Sequence, residues 1–494
     1  MVSFNHIPND TRVPLFYAEV DNSAAGIYTQ NLRALIIGQR LAAGTVAEKV
    51  PTVVATADQA KTYFGKGSML ARMVEAFRAN NTSTQIVALA LDDASGGAAA
   101  AGELAITGPA TANGTLYIYI GGQRVKVGVT SGDSATTIGD AVEAAINAAT
   151  DLPVTASNTT GTVTLTARNK GTVGNTIDIR LNYAGTLGGE ELPAGVAVAI
   201  TAMASGATDP DIADAITAMG DEPYEYIVIP YTDSTSLDAI GTEMGDVTGR
   251  WSYQRQLYGH VFAAKSASAS ALETFGAARN DPHVSVVGYY DSPTPTYEAA
   301  AMLAGQAGGA LSNDPARPLQ TLPLVGFKVP PDTSKFVYIE KQGLLTSGVA
   351  TLRYEVGVAQ IERCITTYQK NSWGELDISY LDVTTLATLA YVLRFMRQAI
   401  TQKFPRHKLA NDGTRFGAGQ AIVTPNTIRA ELVAGYSQLE SLGLVENIAA
   451  FKANLIVERD ATDPNRVNVV YPPDLVNQLR VFAVLAQFRL NYAA

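Results

Sequence analysis

Apolar and polar positions along the chain follow two periods, and the changes of period divide it into blocks. Residues 1–31 show little helical spacing and hold Pro8 and Pro14 among Val13, Leu15, Phe16, Tyr17 and Val20, which predicts an extended, apolar arm. From Leu32, short apolar runs alternate with helical spacing. Residues 33–38, 51–55 and 85–91 read as strands, and 57–64 as a helix closed by Gly65. Ser68 reads as the N-cap of a second helix with Met69, Met73, Ala76 and Phe77 on its apolar face. The small-residue run 92–100 reads as a linker. Beyond it, to about residue 206, period two dominates. Strands at 116–120 and 124–129 flank Gly121-Gly122, a hairpin signal; 137–149 is spaced as a helix; 153–157, 162–167 and 175–181 alternate as strands.

The α/β alternation then resumes, with helices expected at 212–219, 236–244, 269–278 and 296–305 and strands at 226–230, 257–263 and 284–288. Interruption and resumption together imply one discontinuous α/β domain, 32–92 and 207–322, with an inserted β-rich domain at 93–206. Irregular strands and hairpins fill 323–382. The strongest helical pattern follows at 384–403, with Leu386, Leu389, Leu393, Met396 and Ile400 at spacings of three and four before Pro405 ends it. A further helix is expected at 427–442 and a strand at 466–471, so 323–477 forms a C-terminal α/β domain. After the breaker Pro472-Pro473, residues 478–491 alternate Phe482, Val484, Phe488 and Leu490 on one face with Val481 and Leu485 on the other. Both faces are apolar, which predicts a strand meant for burial, and 478–494 is set apart as a C-terminal strand arm. The fold class expected is an α+β / α/β multidomain protein: a mixed sheet flanked by helices, with an inserted β-rich domain and extended terminal strand arms.

Composition sharpens the picture. Charged residues make up 17% of the chain, against roughly 25% in an average one, and a shortage of charge suggests a surface covered by like subunits. The net charge of −10 and a pI near 5.0 give no basic surface for phosphates, so nucleic acid is not expected as a partner. The single cysteine, Cys364, sits in an apolar-alternating stretch and reads as a small buried residue. The first residues lack a basic region followed by an apolar run, so no signal peptide is expected and the chain reads as one kept in a reducing cytoplasm. The most apolar long stretch, 381–400, carries Arg394 and Arg397 and reads as a soluble helix, so membrane insertion is not expected.

The search for chemistry turns up little. Four histidines are scattered without partner spacing, and no metal or cofactor motif is present. Gly65-Lys66-Gly67-Ser68 lacks the upstream glycine of a phosphate loop and reads as a turn before a helix. The glycine-rich 413–419 follows no apolar strand and reads as a loop. No Gly-x-Ser-x-Gly elbow exists. Asp209, Asp211 and Asp214 lie near a helix N-terminus, where the dipole favours them without a catalytic task. An enzyme is not expected.

The order of the pieces carries a resemblance. Residues 34–38 (Ala-Leu-Ile-Ile-Gly), 57–65 (Ala-Asp-Gln-Ala-Lys-Thr-Tyr-Phe-Gly), 68–73 (Ser-Met-Leu-Ala-Arg-Met) and 85–89 (Gln-Ile-Val-Ala-Leu) resemble the N-terminal part of contractile tail sheath proteins. The insert, with Gly-Thr-Val-Gly-Asn-Thr-Ile at 171–177, and the stretch 466–480 with the strand after it resemble the tail sheath proteins of Mu-like contractile bacteriophages. The resemblance is collinear over nearly the whole chain. It implies a structural subunit of stacked, hexameric rings around a tail tube, contracting to drive the tube through a bacterial envelope for genome delivery. The sheath of a phage-tail-like bacteriocin or other contractile injection system stays open beside it. Tail tube, baseplate and tail terminator proteins are the implied partners, the virion tail the implied location, and the insert the outward-facing part. The terminal arms are implied to donate strands to neighbouring subunits: Val13, Leu15, Phe16, Tyr17 and Val20 at one end, and Val481, Phe482, Val484, Leu485, Phe488 and Leu490 at the other. The helix at 427–442, through Arg429, Glu431 and Glu440, is the expected tube-facing surface.

Overall fold

The computed structural model describes residues 32–417 and 419–490. The expected N-terminal arm, with Val13, Leu15, Phe16, Tyr17 and Val20, lies outside the described residues. The chain opens with β1 (Arg33–Gln39), β2 (Thr52–Val54), α1 (Ala57–Phe64), α2 (Met69–Asn80) and β3 (Gln85–Leu91). Thr56 accepts a hydrogen bond from the backbone of Gln59, and Ser68 accepts one from Ala71. Each helix therefore starts where a side-chain oxygen satisfies a first-turn N–H.

The insert holds β4 (Ala99–Thr107), β5 (Gly114–Ile120), β6 (Gln123–Val129), α3 (Ala135–Ala148), β7 (Val154–Thr159), β8 (Thr162–Lys170), β9 (Ile179–Leu181) and β10 (Ala197–Ala204). These make one sheet ordered β10-β4-β8-β7 and a second ordered β6-β5-β9, sharing a core that includes Leu116, Ile118, Val142, Ile146, Val163 and Leu165. The Gly121-Gly122 turn has φ of 53° and 75°, the left-handed pair that a two-residue hairpin needs. Two details differ from expectation. The small residues at 99–100 begin a strand instead of ending a linker, because β4 is held by β8 on one side and β10 on the other. Residues 172–176 form a short 3₁₀ turn, so the strand expected from 175 begins only at Ile179.

The α/β series continues with α4 (Ile212–Met219), β11 (Tyr226–Val228), α5 (Ser234–Met244), β12 (His260–Ser266), α6 (Ala269–Ala277), β13 (Val284–Tyr289) and α7 (Thr296–Asn313). The main sheet has the order β13-β12-β11-β1-β3-β2, parallel except for β2. Ala34 on β1 lies opposite both Ile86 and Tyr226, so the stretches before and after the insert pair with the same strand. From Ile86 to Leu91 every residue of β3 is buried, as in a sheet covered on both faces. Helices α2 and α7 pack closely, and a Cβ at Gly305 would stand 2.8 Å from the Phe77 carbonyl oxygen.

Next come α8 (Tyr338–Thr346), the hairpin β14 (Thr351–Glu355) and β15 (Val358–Arg363), α9 (Val383–Lys403), and the short parallel pair β16 (Lys408–Leu409) and β17 (Ile422–Val423). The chain then forms α10 (Pro425–Ser441), α11 (Ile448–Asn454) and the hairpin β18 (Ile456–Arg459) and β19 (Val467–Val470). Leu324, Phe327, Leu352, Ile361, Ile365 and Val383 belong to the core of the main sheet, while Val392, Leu432, Tyr436, Leu439 and Phe451 form a separate one. The cores thus divide along α9, farther on than the change of pattern near residue 323. The cause is the segment after α8, which runs beside β13, with Ala350 bridged to Val287, and covers that edge of the sheet.

Candidate functional site

The segment expected to be the C-terminal strand forms no strand in the isolated chain. Residues 481–490 form neither helix nor strand, and none of them has a hydrogen bond or ion pair among the described residues. Phe482 is 81% exposed and Phe488 84%, and Val481, Val484, Leu485 and Leu490 are comparably bare. An apolar alternating segment with both faces in water exposes surface that pairing with another strand would cover.

Its root is held firmly. The Glu446 N–H donates to the Asp474 carbonyl at 2.9 Å, and that of Val476 to Leu444 at 3.2 Å. Gln478 donates its side-chain amide to the Ala316 carbonyl at 3.0 Å. Arg480 reaches Asp382 Oδ1 at 3.1 Å and Thr384 Oγ1 at 3.3 Å, and also contacts the Gln478 side chain. Asp382 in turn receives both prongs of Arg363, at 3.2 and 2.9 Å. Burial pushes the Arg480 guanidinium below its ordinary value, with Asp382 pulling the other way. Sequence reasoning missed this clamp. Its one signal was a lone charge at the head of an apolar alternating run.

The hairpin β18–β19 lies in the same C-terminal body. It is two-stranded, with Ile456 opposite Val470 and Val457 opposite Val469, and each strand has one edge unpaired among the described residues. Ile456 and Val470 are exposed despite their apolar side chains. A two-stranded sheet is marginal alone and gains by adding strands.

The three residues singled out on α10 all make local contacts. Arg429 is exposed and donates to the Lys452 carbonyl at 2.8 Å. Glu431 pairs with Lys403 at 2.8 Å, tying α10 to α9. Glu440 accepts the Ile448 N–H at 3.1 Å, at the start of α11. They stand along one helix but are not gathered into one site.

The remaining chemistry-bearing groups have structural roles. His260, the first residue of β12, and His283, just before β13, are buried. His283 Nε2 lies 2.7 Å from Asp246 Oδ1, and its ring stacks on Trp251 at 4.4 Å. The histidine holds the Asp246 carboxyl below its usual range. Burial pushes the Cys364 thiol up to about 12. Gly65 to Ser68 is a turn whose serine caps α2. Among the described residues no group of three or more His, Cys, Asp or Glu could hold a metal, and no helix is long and apolar enough to cross a membrane.

The sequence matches three family models in succession: the phage tail sheath protein beta-sandwich domain over residues 95–199, the phage tail sheath protein central domain over 205–367, and the phage tail sheath C-terminal domain over 375–489. It is 44% identical over 493 residues to the Mu-like prophage FluMu tail sheath protein of Haemophilus influenzae, an alignment covering 99% of this chain and 100% of the relative. Among solved structures, the sheath tail protein of Desulfitobacterium hafniense is 12% identical with a TM-score of 0.47, covering 94% of this chain and 100% of that one. That of Listeria innocua is 12% identical with a TM-score of 0.49, covering 92% and 94%.

Proposed function

Because the chain belongs to the phage tail sheath protein family, it is a structural component of a contractile virion tail and not an enzyme, and we propose that its arms join the subunits into the sheath. The observation that carries the proposal is the exposed, unpaired apolar segment 481–490 in a subunit that also offers unpaired edges on β18–β19. Added to such an edge in another copy, the segment gains main-chain hydrogen bonds, and its alternation fixes the register. Residues 1–31, through Val13, Leu15, Phe16, Tyr17 and Val20, serve as the second arm. Covering roughly 400–600 Å² of apolar surface is worth about 10–15 kcal/mol at about 25 cal/mol per Å². Ordering ten residues costs roughly 10–20 kcal/mol. One link is therefore near balance, and the sheath coheres because every subunit is tied at several points.

Sheath subunits assemble with a tube and a baseplate. For this chain the proposed arrangement is stacked six-membered rings around a tail tube protein, closed by baseplate and terminator proteins and built in the cytoplasm of the host bacterium. The insert faces outward, and the C-terminal body lies nearest the tube, with Arg429 on the exposed side of α10 as the contact residue. The arms stay paired while the bodies repack, and the larger interfaces of the shortened state supply the energy that drives the tube through the bacterial envelope.

Deleting residues 481–494 tests the central step. The expected product is a folded monomer that forms no ordered tubes under the electron microscope at concentrations where the full chain does. Tubes of unchanged order from the deleted chain would refute strand donation by this arm.

A further inference from the structure

Arg480 carries the last held side chain before the bare segment and marks its boundary, although Leu479 beside it is 70% exposed. Arg480 is largely buried, its side chain 14% exposed, while every residue from 481 to 490 is exposed. Behind that boundary, Gln478 and Arg480 attach to different places: Gln478 to the loop after α7, Arg480 to the N-terminal end of α9. Asp382 is itself fixed there from two sides, by the Arg363 fork and by a bridge to Ile365. Ile365 and Val383, flanking this point, belong to the core of the main sheet.

Ala316 packs against the core of the C-terminal body, in which the preceding residues are seated, so it is the Arg480 contact with Asp382 that leaves that body. Leu475 is bridged to Val445 and Val476 bonds to Leu444, both in that body, and within five residues the chain crosses to the main-sheet core before it is released. A segment that only needed to reach a neighbour could leave at residue 477 without touching Asp382. The contacts also restrain direction. Arg480 Nη2 meets a carboxylate, a hydroxyl and the Gln478 amide oxygen, and the nitrogen of that amide is held on the Ala316 carbonyl, so the side chains on both sides of Leu479 are tied together just before Val481.

We propose that Arg480 is the positioning residue of the C-terminal arm: by clamping Asp382 it fixes where and in which direction residues 481–490 leave, and it delivers load on the arm to the main-sheet core. The proposal rests on the reading that this arm pairs with another copy. Arg480 plays no part in the strand pairing itself. Its loss leaves the apolar segment intact but free to point widely, so that fewer encounters present it in register. Part of the affinity of a preorganised segment is the ordering it no longer has to undergo.

The test compares Arg480→Gln, Arg480→Lys and the 481–494 deletion in the full chain. Cys364 is buried, so spin labels attach selectively at Val484→Cys and Ser437→Cys. Below the polymerising concentration, the label-to-label distance distribution is expected to broaden at least twofold in Arg480→Gln while the melting temperature stays unchanged. The critical concentration for tube formation is expected to rise about tenfold, with tubes of variable diameter. Arg480→Lys, which keeps the charge but not the planar guanidinium, is expected to fall between Arg480→Gln and the parent. If Arg480→Gln matches the parent in distance width and critical concentration while the deletion abolishes tubes, the clamp has no positioning role and strand donation stands. If the deletion still forms ordered tubes, strand donation falls and the clamp proposal falls with it.

Discussion

Acid should loosen the main sheet through one buried imidazole. His260 Nε2 lies 2.8 Å from Ser285 Oγ, and Ser285 spends its own proton on the Ile365 carbonyl at 2.7 Å. The serine oxygen is thus left to accept, which makes Nε2 the protonated nitrogen of a neutral ring. Nδ1 is buried without a partner among the described residues, and the ring lies edge-on to Phe262 with centroids 5.0 Å apart. Charging the ring puts a proton on Nδ1 where nothing receives it. Burial accordingly lowers this histidine from an ordinary 6.5 to about 3, and nearby His283 adds to the effect. The unfolded chain takes up the proton first as pH falls, so the contribution is intact above about 6.5 and is lost progressively below it. At pH 5 the loss is about 2 kcal/mol, from about 1.4 kcal/mol for each of roughly 1.5 units. Trp251 reports on the region, because its indole donates to the Gly259 carbonyl at 2.9 Å, next to His260. With the exposed Trp373 replaced by phenylalanine, urea titrations followed by Trp251 fluorescence at pH 7 and pH 5 give the acid loss directly. His260→Gln keeps a donor for Ser285 but cannot titrate. Its loss should be smaller than the parent's by about 2 kcal/mol, with His283, Asp246 and Tyr380 common to both proteins. Equal losses in the two proteins would show that His260 is not the acid-sensitive group.

The seam between insert and main sheet centres on Arg72, 4% exposed, which faces Glu298 and also donates to the Asp151 carbonyl at 2.9 Å. Glu298→Gln keeps the shape and removes the anion, at an expected cost of about 3–5 kcal/mol; a calorimetric melting profile identical to the parent's would contradict it. In the C-terminal body, Phe451 stacks on Tyr436 at 3.8 Å and meets Tyr471 at 5.0 Å. Phe451→Ala should cost about 3–5 kcal/mol and speed hydrogen exchange in α10 and β18–β19 but not in β1 and β3; uniform exchange throughout would mean that the two cores do not open separately.

Elements whose own side chains specify them could be read from the sequence. Gly121-Gly122 between two alternating runs became the expected hairpin, Ser68 caps the helix that follows it, and Asp211, read as a carboxylate at a helix N-terminus, is the cap of α4. What escaped was specified by neighbours. The alanines of β4 carry no strand signal and are held by pairing on both sides. Helix α8 buries only Leu344 and leaves Tyr338 and Ile339 bare, so it lacks the apolar stripe that would have announced it. The strand expected from residue 257 starts at His260 because Gln256 and Tyr258 take positive φ values of 51° and 35°. The alternation of 481–490 was plain, yet pattern alone carries no word of what covers its two apolar faces. The clamp at Asp382 was invisible for a related reason: residues 363, 382 and 480 meet only once the fold has brought them together.

Helix α9 is bedded in both cores, with Val383 in one and Val392, Phe395 and Met396 in the other. Its 21 residues make a beam about 31 Å long. A beam gripped at both ends passes a torque on instead of yielding to it, so the subunit has no knee at this point. On the proposed reading, in which the terminal arms join the copies, shortening of the tail swivels each copy as one piece and the give lies in those slender tethers.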